Sequence, residues 1–125
     1  MDINIRAFCK ENNCVEMLTP YGVLHGVWKE DKQPELRRYI VEIDVSDVVN
    51  CSQITKNCDL KAEIFEDNHK VLVCGKVHDI DKELIIVNIN SELIMIDVDN
   101  VENIDIGDKV SFFIRQLQIW DTRLV

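Results

Sequence analysis

The side chains with chemistry to offer in this chain are carboxylates, thiols and three imidazoles. His78 stands beside Asp79 and Asp81, a grouping that could act as a general base or hold a metal. A turn histidine among acids is more simply a solvated surface group. Asp97 and Asp99 alternate along one stretch, and paired carboxylates of this kind serve acid–base or Ca²⁺ chemistry. No glycine-punctuated calcium loop surrounds them, so a solvated edge is the plainer reading. Cysteines 9, 14, 51, 58 and 74 are odd in number and none has the C-x-x-C spacing of zinc or redox sites. Gathering them with His25, His69 or His78 would give only an irregular ligand set. Reduced thiols are therefore expected, some buried as small apolar residues, and they point to a cytoplasmic protein. G-x-S-x-G, P-loop and H-E-x-x-H patterns are absent. The expectation is a protein that is not an enzyme, with no catalytic residue, cofactor or metal.

Charge is the stronger signal. The net charge is −9, and residues 59–125 carry 14 Asp+Glu against 7 Lys+Arg. Between 79 and 108 nine acids face Lys82 alone. Phosphate backbones are bound through Lys and Arg, so this region should repel nucleic acid and attract a basic partner.

These groups must be positioned by β-structure. Val71, Val73, Gly75 and Val77 alternate with Leu72, Cys74, Lys76 and His78, the period of a strand with one buried face. Leu84 to Ile89 is apolar on both faces; Ile94, Ile96 and Val98 alternate with Met95, Asp97 and Asp99. Val110, Phe112 and Ile114 alternate again, but the next apolar pair, Leu117 and Ile119, is one residue out of phase. A bulge in a curved sheet would absorb that slip.

In the first half, Tyr21 to Trp28 reads as a strand in which Gly26 marks a bulge or close packing. Leu36 to Val45 places Tyr39, Val41, Ile43 and Val45 on one face. Asp2 to Asn13 fits a short helix capped by Asp2 slightly better than a strand. Ser46 to Asn57 suggests one helical turn capped by Ser46 or Asp47. Leu60, Ala62 and Ile64 begin a further strand, and Glu66 to His69 turns into the 71–78 strand. Trp28, Tyr39 and Phe112 are assigned to the core, and Trp120 to the surface as an interface anchor. No repeat of fixed period is evident. Eight candidate strands with short turns predict a single domain, 1–125, mostly β: one antiparallel, strongly bent sheet or small barrel, with one or two short helices. No apolar run approaches the roughly 20 residues that span a bilayer, and no secretory signal is apparent, so no membrane association is expected.

From Leu60 to Ile119 the chain resembles small OB-type β-barrels. The resemblance rests on the run around Gly75-Lys76-Val77, the pair Glu83–Ile89 and Leu93–Val98, and Ile106-Gly107-Asp108-Lys109-Val110 before a closing strand. It implies binding of single-stranded nucleic acid or another ligand across the barrel face. Such binders interleave aromatics with Lys and Arg, whereas Phe65, Phe112, Phe113 and Trp120 lie among acids here. Met1 to Asp59 has no place in that pattern.

Two functions follow as expectations. The first is an inhibitor or immunity-type protein that neutralises a basic partner such as a nuclease toxin. Its contact would be formed by Asp97, Asp99, Glu102, Asp105 and Asp108 with Asp79, Asp81 and Trp120. The alternative is an OB-type ligand or single-stranded nucleic-acid module using Arg6, Arg37, Arg38, Lys29 and Lys32.

Overall fold

The structure is a computed structural model that describes residues 1–56, 59, 61–68 and 70–122. Among them the strands run in chain order as β1 (Asp2–Cys9), β2 (Cys14–Thr19), β3 (Gly22–Trp28), β4 (Arg38–Asp44), β5 (Val48–Asn50), β6 (Thr55–Lys56), β7 (Glu63–Asp67), β8 (Lys70–Asp81), β9 (Leu84–Ile89), β10 (Glu92–Asp99), β11 (Lys109–Ile114) and β12 (Leu117–Asp121). A single 3₁₀ turn, Cys51–Gln53, separates β5 from β6. The chain is mostly β, as its alternation predicts, and no described helix is long and apolar enough to cross a membrane.

The strands make one closed barrel, in the order β1-β2-β3-β12-β4, and one curled sheet, in the order β5-β10-β9-β8-β11-β6. β7 pairs with the first half of β8. The pairings are antiparallel except β12 with β3 and β5 with β10. Gly75 lets the curled sheet bend inward: a Cβ there would lie 2.6 Å from Val87 Cγ1 and 2.7 Å from the Asn88 carbonyl.

The two units are built alike. Every β2–β3 partner pair, from Cys14↔Val27 to Thr19↔Gly22, recurs in β9–β10 with 70 added to both numbers, from Leu84↔Asp97 to Ile89↔Glu92. β1 corresponds to β8 through the equivalent partners, and both strands bulge at the equivalent place, between Ile5 and Ala7 and between Val77 and Asp79. The barrel is discontinuous in sequence, since its closing strand, β12, follows the curled sheet, whose strands β5 to β11 are consecutive. β12 lies parallel to β3, while β5 lies parallel to β10. The fold therefore contains a repeat of backbone register that the residue types do not show. The phase slip between Ile114 and Leu117 is not a bulge; it is where the chain leaves the curled sheet and enters the barrel.

The opening segment is a strand and not a helix. Ile3 and Ile5 are 1% and 3% exposed inside the barrel while Asp2, Asn4 and Arg6 face out. Burying two isoleucines is worth about 1.5–3 kcal/mol each, against helix preferences of a few tenths per residue. The short turn after Val45 also shifts: Asn50 caps Cys51–Gln53 through its side chain, and Val48–Asn50 is extended. Residue 57, at the end of the expected helical turn, Leu60 of the next strand and His69 of the hairpin turn lie outside the described residues.

Buried side chains of both units form one apolar cluster that includes Trp28, Tyr39 and Phe112. The equivalent hairpin turns of the two units touch. Asn90 Nδ2 donates to Tyr21 Oη at 3.1 Å and to the Ala62 carbonyl at 3.1 Å.

Candidate functional site

Alternation decides which side chains of the curled sheet meet solvent. On β10 the outward residues are Leu93, Met95, Asp97 and Asp99; on β9 they are Leu84, Ile86 and Asn88. The bulge in β8 resets its phase so that Asp79 and Asp81 also point out. Register then assembles rows across the strands. Asp79, Ile86 and Met95 are direct neighbours, as are Asp81, Leu84, Asp97 and Val48. Asp79 and Asp81 thus flank Ile86 and Leu84 on one side, while Asp97 stands between Leu84 and Val48, with Met95 53% and Val48 67% exposed. The described ion pairs engage other acids, so that Asp79, Asp81, Asp97 and Asp99 have no cationic partner among the described residues. Asp79 accepts a hydrogen bond from the Ile80 amide at 2.8 Å.

The remaining expected acids lie on the loop that leaves β10. Glu102 accepts from Asn100 Nδ2 at 2.8 Å, and Asp105 is exposed. Asp108 is already matched: it accepts from the Asp105 amide at 2.9 Å and pairs with Lys56 at 3.4 Å. Chiefly that backbone hydrogen bond, then Lys56, holds its carboxyl below the usual aspartate range against the opposing pull of desolvation. Trp120 is 38% exposed but belongs to β12 of the barrel, opposite Glu42, and does not share the sheet of the acids.

Compared with known protein families, curated proteins and solved structures, the chain has no match.

Of the basic residues expected for a ligand face, Lys32 and Arg37 line one cavity, together with the acids Glu30, Asp31, Glu35 and Asp121. Arg38 makes two hydrogen bonds to Asp2, and Arg37 lies 3.9 Å over the Tyr39 ring while bonding Glu35. The loop bearing Lys29 and Lys32 is tied down by Trp28, whose Nε1 donates to the Lys32 carbonyl at 2.7 Å. A different face carries exposed aromatics instead. Phe113, Leu72 and Phe65 form a direct row across β11, β8 and β7, with Phe113 59% exposed. Lys70, Lys76 and Lys109 share that face, together with Glu63 and Asp67.

One titratable cluster joins the two units. His25 on β3 meets Glu66 of β7 through Nδ1 at 2.5 Å and Glu16 of β2 through Nε2 at 3.3 Å. Its backbone amide also donates to Glu66 at 3.1 Å. These carboxylates raise the imidazole above its usual pKa, the Glu66 hydrogen bond foremost, although partial burial opposes them. Glu66 lies far from His25 in sequence, so no local motif announces the contact. Next to it is a cavity of about 650 Å³ whose wall includes Cys14, His25, Glu66 and Arg115. Nε2 is taken by Glu16, and burial pushes the Cys14 thiol up, so this is not an activated cysteine–histidine pair. Among the described residues no three His, Cys, Asp or Glu are placed to hold one metal ion.

Proposed function

We propose that the protein is a non-catalytic binding module whose acidic face docks a basic protein partner, in the manner of an inhibitor that covers a phosphate-binding surface. One observation carries the reading: Asp79, Asp81, Asp97 and Asp99, contributed by two strands, share one face with the outward-facing Leu84, Ile86, Met95 and Val48. Carboxylates without an ion pair among the described residues supply steering and pair selection, and the apolar residues beside them supply the contact that excludes water. The scaffold is proposed to be a pair of OB-type units, one closed and one open, because the strand order repeats in both and each carries an equivalent parallel strand. Asp105 and Glu102 extend the contact; Asp108, already paired, has a structural part.

The test uses the purified protein as bait for basic proteins, with two variants. One converts the four aspartates to asparagine, and the other is Met95→Ser with all charges kept. Both should lose the same captured protein, the first with a marked loss of salt sensitivity. Capture unchanged in the asparagine variant would refute the reading.

The row of Phe65, Leu72 and Phe113 with Lys70, Lys76 and Lys109 favours a second reading, a short single-stranded nucleic-acid platform. Oligothymidylate binding at low salt that is weakened by Phe113→Ala would support it. Absence of binding would remove it.

A further inference from the structure

We propose that Cys9 and Cys14 form a reversible disulfide that closes the β1–β2 hairpin in response to a disulfide oxidant. The two residues are direct cross-strand partners, the last pair before the turn, and both are free thiols. Directly opposed residues place their Cα atoms about 4.5–5.5 Å apart and their side chains on one face. A disulfide spans roughly 4.4–6.8 Å between Cα atoms, so the strands need no rearrangement. The turn between them is held by its own geometry: Asn13 has φ 55° and the Cys14 amide donates to Asn12 Oδ1 at 3.0 Å. No other pair of described cysteines is opposed in this way. Cys74 is buried, and Cys51 is engaged with the Glu102 backbone at 3.2 and 3.4 Å.

The two thiols differ in the way a stepwise exchange requires. Cys9 is exposed and Cys14 is half-buried. Burial, then the neighbouring Cys9, Glu66 and Glu16, keeps the Cys14 thiol protonated to higher pH. The Cys9 thiolate therefore attacks a small disulfide such as oxidised glutathione first, forming a mixed disulfide and releasing one glutathione thiolate. Cys14 then loses its proton to solvent and attacks the Cys9 sulfur, forming the internal bond and expelling the second glutathione thiolate. Two protein thiols are oxidised and one disulfide is reduced to two thiols. Because Cys14 lines the cavity beside His25 and Glu66, oxidation changes the wall of that cavity as well as fixing the turn.

The experiment equilibrates the purified protein in mixtures of reduced and oxidised glutathione, quenches by alkylation and maps the peptides without reduction. A linked Cys9–Cys14 peptide should appear, vanish in Cys9→Ser and Cys14→Ser, and persist in Cys51→Ser. The same equilibration in concentrated urea separates register from mere closeness in sequence. The folded protein should form the bond at an oxidant ratio at least about tenfold lower, because the strands raise the effective thiol concentration. Glutathione adducts on Cys9 without an internal bond, or equal formation in urea, would overturn the proposal.

Discussion

Replacing Gly26 with alanine probes the strand that crosses from one unit to close the other. A Cβ at this position would lie 2.7 Å from Ile119 Cγ1 and 2.9 Å from its Cδ1, with the Leu117 carbonyl at 3.1 Å. Carbon atoms prefer about 3.5–4.0 Å, so the new methyl is roughly 1 Å too close to a side chain that is itself 0% exposed. Ile119 cannot swing into solvent, and the carbonyl belongs to the β12 backbone. Overpacking of this kind costs about 1–3 kcal/mol. For 125 residues that corresponds to a melting temperature lower by about 4–11 °C. Urea unfolding of Gly26→Ala, Ile119→Ala and the double variant gives the coupling. Ile119→Ala alone should cost about 2–5 kcal/mol by leaving a cavity, and at least about 1 kcal/mol less when the methyl introduced by Gly26→Ala occupies part of it. A neutral Gly26→Ala with additive energies would mean that β12 does not pack against β3 as described.

Two further outcomes test local chemistry. Asn90 and Ser91 both have positive φ, 49° and 79°, the requirement of a type I′ hairpin turn. Ser91→Gly should therefore stabilise the protein by about 0.5–1 kcal/mol in thermal unfolding, and a loss of stability would contradict the turn geometry. His25 is raised by Glu66 and Glu16, so its contribution is fully present below the unfolded pKa of 6.5 and disappears as pH rises through the higher folded value. The stability difference between the wild type and His25→Gln should narrow from mildly acidic to alkaline pH. The side chain is 44% exposed, so solvent screening keeps the effect below about 1 kcal/mol. A difference independent of pH would exclude the ion-pair account.

Strands whose two faces differ in polarity were legible. Tyr39, Val41 and Ile43 on β4, and Ile94, Ile96 and Val98 on β10, are all buried as alternation requires. The outward direction of Asp97 and Asp99 follows from the same pattern. Their meeting with Asp79 and Asp81 does not, because it depends on β9 lying between and on a bulge that resets β8. β1 was obscured because Arg-Ala-Phe-Cys-Lys-Glu lacks both β-branched residues and turn formers, and only enclosure by neighbouring strands decides its state. The repeat stayed hidden for a related reason. Equivalent positions hold unlike residues, Gly26 against Ile96 and His25 against Met95, since each must suit its own surroundings while the backbone register stays constant.

The distance in sequence between β4 and β12 has a consequence for synthesis. As the chain leaves the ribosome, β1 to β4 are ready long before β12, so the first barrel waits with an open seam while the other unit is made. The curled sheet, whose strands β5 to β11 are consecutive, can be complete before β12 is made, and the barrel is expected to close last. Cutting the chain between β4 and β5 would part the barrel alone from its last wall and leave the curled sheet with all of its strands.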